Sequence, residues 1–491
     1  MRRRRVLVMV AAAAAMWGAG PLAAPGGGDA WAVAAARGAA VRAAGSWGRA
    51  IAVPGLGALN RGHFAVVISV SCASAGTCAA GGLYRDRHGH GHGFVVSERN
   101  GRWGHAIEVP GLAALDQGAQ AQVISVSCAS AGSCAAGGFY RDSDGHAQGF
   151  VVSERNGRWG HAIEVTGPGT LNAGGDAGVN SVSCAAAGSC AAGGFYLDGD
   201  GHRQGFVVSE RNGVWGQAIE VPGLGTLNAG GLARVWSVSC ASAGNCAAGG
   251  DYAAGHGPVR GFVVSEKNGV WGQAIEVPGL GTLNAGGLAR VFSVSCPSAG
   301  NCAAGGFYRD RHQHDLGFVV SERNGVWGQA IKVPGIRDLN RGGNASVFSV
   351  SCPSAGNCAA GGNYGEVHGA SYQGFVVSEK NGVWGRAIPV PGLAALSKGG
   401  DAGVNSVSCG SPGNCAAGGR YVDQHLHSHG YVVSERNGVW GRAIHVPGLA
   451  ALNKGGDAGV SSVSCAPAGS CTAGGSYADG SGRRHLQGFV T

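Results

Sequence analysis

Apolar and polar positions along this chain come in short bursts, four to a unit, and the unit repeats. In the copy near Val235, segment A is Val235-Trp236-Ser237-Val238-Ser239-Cys240 and segment B runs from Cys246 to Tyr252. Segment C runs from Gly261 to Glu266, and segment D from Val270 to Val277. Each is short, carries β-branched or aromatic residues and is bounded by Gly, Pro or Asn, so each is predicted as a strand. No stretch of the unit holds helical apolar spacing over three turns. Asn268-Gly269 predicts a tight C–D hairpin, because a type I′ turn needs positive φ at both central residues. Period-two alternation in D places Trp271, Ile275 and Val277 on one face and Glu276 on the other.

The register of the unit is set by cysteine. The first cysteine of each copy falls at Cys72, Cys128, Cys184, Cys240, Cys296, Cys352, Cys409 and Cys465, in steps of 56 residues with one of 57. A period of this size marks a repeat architecture. Segments A and B are rich in Ser, Ala and Gly, whereas C and D carry Phe, Val, Trp and Ile. Blades radiating from an axis would put the small-residue strands inside and the bulky ones outside. At the front, Ser46 to Gly55 is a D segment with no A, B or C before it; at the back, A and B are followed by a clipped C ending at Thr491. The two incomplete ends complement each other, and the end copies carry no special caps of the kind an open array needs. The expectation is an all-β, eight-bladed β-propeller of four-stranded antiparallel blades over 46–491, closed by an N-terminal outer strand, which also removes exposed sheet edges.

Composition narrows the class. Gly is 95 of 491 residues and charged residues are 13%, but 44% apolar content is too high for a disordered glycine-rich chain. The net charge of +8 falls to +4 without Arg2 to Arg5. No dense basic stripe follows, so nucleic-acid partners are not expected. Arg2 to Arg5, the apolar run Val6 to Gly20 and Ala30-Trp31-Ala32 read as an export signal over 1–32, with Leu22-Ala23-Ala24 as the other cleavage candidate. A general secretory route is preferred over a twin-arginine one. Residues 33–45 match nothing in the repeat and read as a linker. No later stretch is apolar for long enough to span a membrane, so the expected product is secreted, extracellular and monomeric.

Sixteen cysteines in identically spaced pairs behind an export signal imply eight local disulfides: Cys72–Cys78, Cys128–Cys134, Cys184–Cys190, Cys240–Cys246, Cys296–Cys302, Cys352–Cys358, Cys409–Cys415 and Cys465–Cys471. Zinc thiolate sites are the rival, disfavoured by export.

The S-V-S-C motif, the second cysteine and the C-A-A-G-G run, with N-G…W later in the unit, resemble a class of exported actinobacterial repeat proteins of β-propeller type. The resemblance covers 46–491 and implies a fold, not an activity. Ser265-Glu266-Lys267-Asn268-Gly269-Val270-Trp271 also resembles, distantly, the Asp-box of sialidase-type propellers. It has Lys or Arg where that box has Asp, and its Trp comes one place early, so glycosidase activity is not carried over.

Candidate chemistry gathers in two connections, B–C and D–A, which share a face in a four-stranded meander. Thirteen of the 17 histidines lie in B–C connections, among them His88, His90, His92, His425, His427, His429, His485 and His368. Alternation in units one and seven puts a whole set on one side of an extended segment, and unit eight lies between them, so these loops are a candidate patch for a divalent first-row metal; solvated polar loops are the plainer reading. In the D–A connections, Asp176, Asn344, Asp401 and Asp457 follow the recurring Asn or its equivalent by four residues, and Arg234 and Arg290 stand two places further on in units four and five. These are candidate ligand-binding residues at the channel mouth. No nucleophile elbow, H-E-x-x-H or phosphate loop occurs, so no catalytic residue is assigned. The expected function is non-enzymatic recognition or scaffolding, with a glycan, cell-wall component or protein bound on the loop face. A glycan hydrolase or lyase using Asp176, Asp401 and Asp457 is the alternative, and a structural envelope or spore-surface protein the third.

Overall fold

The computed structural model describes residues 47–167, 171–366, 371–467, 469–481 and 485–491. The export signal, the linker and His368 lie outside them. Eight antiparallel sheets, one per unit, form an eight-bladed β-propeller, each ordered A–B–C–D. In blade four the strands are Ala233–Ser242, Asn245–Ala253, Val259–Lys267 and the outer pair Val270–Trp271 and Ile275–Glu276. Blade eight is built from both ends of the chain. Ala458–Cys465, Cys471–Ala478 and Leu486–Val490 are completed by Ile51–Ala52, with Ile51 opposite Val490 and Ala52 opposite Phe489.

The repeat motifs explain themselves as blade contacts. Strand A bulges at its third or fourth residue, in blade four between Val235 and Ser237, which turns one extra residue out of the ladder. The partner there must be glycine: a Cβ on Gly250 would fall 1.9 Å from the Arg234 carbonyl. Gly249 is needed for the next blade, since its Cβ would sit 2.7 Å from Val291 Cγ1. The two serines of S-V-S-C hold the seams. Ser181 Oγ accepts the Val238 N–H at 3.0 Å and Ser183 Oγ accepts the Cys240 N–H at 2.9 Å. The same pair of bonds recurs at all eight seams, including Ser462 to Val70 at 3.1 Å. In the outer half, Ser97 Oγ donates to the buried Glu154 carboxylate at 2.7 Å and accepts from Trp159 Nε1 at 3.0 Å. The Ser-Glu…Trp set therefore staples one blade to the next. Between Glu154 and Trp159, Asn156 and Gly157 adopt φ of 48° and 71°, the mirror-image turn that Asn-Gly favours.

All eight disulfides are local, Cys72–Cys78 through Cys465–Cys471. They bridge facing positions beside the A–B turn.

Strand D departs from simple alternation. Trp271 lies opposite Glu266 and Ile275 opposite Val263, so D spends one residue more than C over this stretch. The chain breaks at Gly272, whose N–H reaches back to the Ser265 carbonyl at 3.0 Å. Parity flips there. Ala274 and Val277 turn inward at 7% and 1% exposure, while Ile275 is 42% exposed, contrary to the expectation that it joins Trp271 and Val277 on the packed face. Ile51, its counterpart in the closing strand, is 43% exposed for the same reason. A broken outer strand also offers little edge for another chain to pair with.

The D–A connection enters a one-turn helix, Leu280–Leu283, seated by buried Leu280. The residue after the helix latches two loops. Asn228 Nδ2 donates to the Arg203 carbonyl at 2.9 Å, and its Oδ1 accepts the Leu232 N–H at 2.9 Å. Parallel bridges such as Arg203 to Leu232 and Ala147 to Asp176 then tie the start of one C strand to the next D–A connection. The B–C and D–A connections thus share one face of the ring.

Candidate functional site

The A-strand bulge puts one residue of each blade beside its counterparts on the innermost strands. In blades four, five and six this residue is aromatic: Trp236 meets Phe292 edge-on at 6.2 Å between centroids, and Phe292 lies 5.9 Å from Phe348. In blades three and seven it is Asn180 or Asn405, each tied to the following blade's backbone at 2.8 Å. The aromatic arc is extended by Phe307, stacked on Phe292 at 5.5 Å.

Strand B supplies the break in symmetry. The position that is Asp251 in blade four is apolar in blades one, two, three and five (Leu83, Phe139, Phe195, Phe307) and polar in blades six to eight (Asn363, Arg420, Ser476). Asp251 is 1% exposed. Trp236 Nε1 donates to its Oδ1, and Arg290 Nε lies 3.4 Å from its Oδ2. Burial pushes its carboxyl pKa up, against the pull of Arg290 and Arg234. Arg203 pairs with Asp176 at 2.8 Å and stacks over Phe195 at 4.9 Å. Arg234 lies 5.6 Å from the Phe195 ring and 4.8 Å from the Trp236 ring. Its Nε has no hydrogen-bond partner, and among the described residues it forms no ion pair. Burial depresses its pKa, against the pull of Asp251 and Asp176, with Arg203 and Arg290 adding to the depression. Two carboxylates, Asp176 and Asp251, against three guanidiniums leave this cluster one positive charge in excess beside aromatic faces, an arrangement suited to an anionic group on a ring-bearing ligand.

Of the ligand-binding residues expected from sequence, the structure therefore brings together Asp176, Arg234 and Arg290 through Arg203 and Asp251. Asn344, Asp401 and Asp457 are exposed and lie on loop junctions of other blades. Asp401 Oδ1 accepts the Tyr372 N–H at 3.2 Å, and the Asp457 N–H is held by Asn453 at 2.9 Å. No contact joins these three to the arginines among the described residues. Asp251, Trp236, Phe195 and Arg203 were not singled out from sequence. The signal was the one acidic residue in a column that otherwise holds Leu, Phe, Asn, Arg or Ser across the units.

The histidines are arranged loop by loop. The alternating segments are not extended, as expected, but turns: Asp86 Oδ1 accepts the N–H groups of His88 and His90 at 2.8 and 2.9 Å. Asp423 does the same for His425 and His427 at 2.8 and 3.0 Å. The turn brings His90 and His92 to the Asp86 carboxylate, and His427 and His429 to that of Asp423. His88 and His425 face Arg87 and Gln424 instead. His485 contacts His63 of blade one and lies 2.6 Å from Asp479.

No protein-family model matches the chain, and no curated protein does. Solved structures resemble it at low identity. Sqt1 of Chaetomium thermophilum, crystallised with the N-terminus of a ribosomal protein, is 13% identical, covering 87% of this chain and 96% of its own with a TM-score of 0.47. An ulvan lyase representing a polysaccharide lyase family is 10% identical, with 72% and 89% covered and a TM-score of 0.38. A Hadza microbial sialidase is 9% identical, with 78% and 66% covered and a TM-score of 0.34. None of these likenesses bears on more than the fold.

Proposed function

We propose that this is an exported, non-enzymatic recognition protein that binds an anionic glycan or cell-wall component at the channel mouth, on the face shared by the B–C and D–A connections. The observation that carries the reading is Arg234, a guanidinium set against Phe195 and Trp236 that, among the described residues, makes no direct ion pair, while the nearby Asp176 and Asp251 are paired with Arg203 and Arg290. A ligand carboxylate or sulfate would supply the missing charge, and the rings would take a sugar face. The buried Asp251 supports binding rather than turnover: both its oxygens are occupied, by Trp236 and Arg290, so it is positioned to orient the arginines. Asp401 and Asp457, which the hydrolase or lyase reading enlists beside Asp176, stand on other blades, and Asp176 is itself paired with Arg203. Export is supported by eight disulfides, which persist in oxidising compartments.

A glycan array with acidic and neutral members tests the reading on the secreted protein. Saturable binding of acidic glycans without product release is expected, weakened more than about tenfold in Arg234→Gln, as for loss of a charge-assisted contact worth ~1.5–3 kcal/mol. Product release would overturn the non-enzymatic reading. Binding of acidic peptides alone would replace the glycan by a protein partner.

A structural role has one observation of its own. Val214, Val270, Val326, Val383 and Val439 are each 69–70% exposed on the outer rim, beside the exposed isoleucines of strand D. Sedimentation separates the two readings: a monomer at high concentration leaves recognition, and rim-dependent association supports a scaffold.

A further inference from the structure

The B–C loop of blade one is built like a metal site, independently of the channel mouth. Asp86 divides its work: Oδ1 holds the turn by accepting two backbone N–H groups, at 2.8 and 2.9 Å, which leaves Oδ2 for the side chains. His90 Nδ1 stands 3.3 Å from that Oδ2 and His92 Nε2 stands 3.6 Å from it. All three donor atoms lie within 4.8 Å of one another. An ion with bonds of about 2.0–2.1 Å in tetrahedral geometry holds its donors about 3.3 Å apart, so the spacing approaches what such an ion requires.

The second layer is in place as well. The other ring nitrogen of His92, Nδ1, faces Glu108 Oε1 at 3.5 Å, and Tyr84 Oη donates to Glu108 Oε2 at 3.0 Å. His92 also stacks on Tyr84 with 5.1 Å between centroids and 22° between planes. A carboxylate behind a ligating histidine fixes its tautomer and raises its basicity. Blades two and three, which gather two aspartates and one histidine each (Asp142, Asp144, His146 and Asp198, Asp200, His202), show what the loop does without the second histidine. There Gln148 and Gln204 occupy the His92 position and donate to Oδ2 of Asp142 and Asp198, each at 3.0 Å. The loop folds with glutamine, so histidine is not needed for its shape.

We infer that Asp86, His90 and His92 bind a divalent first-row transition ion of the zinc type, with Glu108 orienting His92. Two imidazoles and one carboxylate suit such an ion and leave a fourth position open to water or a ligand. Blade seven repeats the set less well. His429 Nε2 is 2.9 Å and His427 Nδ1 3.9 Å from Asp423 Oδ2, and His445 replaces the orienting glutamate.

The test uses protein without a histidine tag. Calorimetric titration with Zn²⁺ should show one tight event per chain, and Co²⁺ should give the intense visible absorption of a tetrahedral site. His92→Gln, which copies the loops of blades two and three, should weaken the tight event more than about 100-fold, and Glu108→Gln about 10-fold. His429→Gln should leave it unchanged. Absence of a tight event overturns the assignment, and so does a tight event that survives His92→Gln or disappears in His429→Gln.

Discussion

Ser464 Oγ accepts the backbone N–H of Cys72 at 2.9 Å, across 392 residues of sequence. Every other seam has this bond at nearly the same length, as Ser71 to Cys128 and Ser408 to Cys465 at 2.9 Å. The bond between the last unit and the first is therefore one of eight equals. Replacing Ser464 by Ala would leave a buried N–H without an acceptor, at a cost of about 1–3 kcal/mol. Ser183→Ala, at an internal seam, should cost the same within about 0.5 kcal/mol. Urea denaturation of both variants checks this; a much smaller loss for Ser464→Ala would show a weak or open seam.

The closing strand should matter through its inward residues. Val53 is 3% exposed and Ile51 43%. Val53→Ala is expected to cost up to about 1.5–3 kcal/mol, the scale for burying such a side chain, while Ile51→Ser costs less than about 0.5. Deleting 46–55 should lower the melting temperature sharply and promote aggregation, because it strips the partner from Leu486–Val490. Unchanged melting after that deletion would refute closure.

The buried carboxylate of blade four makes an asymmetric prediction. Arg290 is 29% exposed as a side chain and Asp251 1%. Arg290→Ala strands the buried charge and should cost about 3 kcal/mol at neutral pH. Asp251→Asn leaves a cation that can reach water and should cost less. Since burial already raises the Asp251 pKa, the Arg290→Ala deficit should narrow as pH falls and the lone carboxyl protonates. Urea midpoints of the two variants at neutral and mildly acidic pH decide it.

The outer staple has a pH signature. Burial raises the pKa of Glu154, Glu266, Glu322, Glu379 and Glu435, against the hydrogen bonds from the neighbouring serines. A carboxyl raised by folding binds its proton more tightly in the native state, so these groups favour the fold increasingly as pH drops from above their folded values towards the usual 4.5. Asp142 and Asp198 act oppositely. Burial would raise them, but Gln148 and Gln204 and nearby N–H groups hold them below 3.8, so their contribution is lost under stronger acid. Stability should peak in mild acid. A urea midpoint falling steadily from neutral pH downward would contradict this, and Glu154→Gln should flatten the rise.

What the sequence revealed followed from local chemistry. Asn268-Gly269 specifies its turn without help from the rest of the chain, and a spacing of five residues between Cys240 and Cys246 leaves little choice of partner. The displaced D segment announced closure by simple complementarity. Other features depended on three-dimensional register. Ile275 reads as packed until Gly272 adds a residue to the strand and turns it outward. Ser237 and Ser239 read as small residues near an axis; their role as acceptors for the next blade exists only across a seam. Asp251 is the one acidic residue in a varied column, and its meaning rests on Trp236, Arg290 and Arg234 converging from strand A. The histidine loops misled because alternation assumes an extended chain, and Asp86 folds that chain into a turn.

Ile51 and Ala52 find their partners at Val490 and Phe489. During synthesis the first strand of the ring emerges long before the last, and translation proceeds at about 5–20 residues per second. For tens of seconds at least, seven blades can assemble one after another while the opening segment has no strand to join. Blade eight is then the last to be completed, because its outer strand and its other three strands come from opposite ends of the ring sequence. A holding factor that shields Trp47 to Val53 during this interval, or a passage to the exterior before folding begins, would spare the growing chain from pairing with the wrong neighbour.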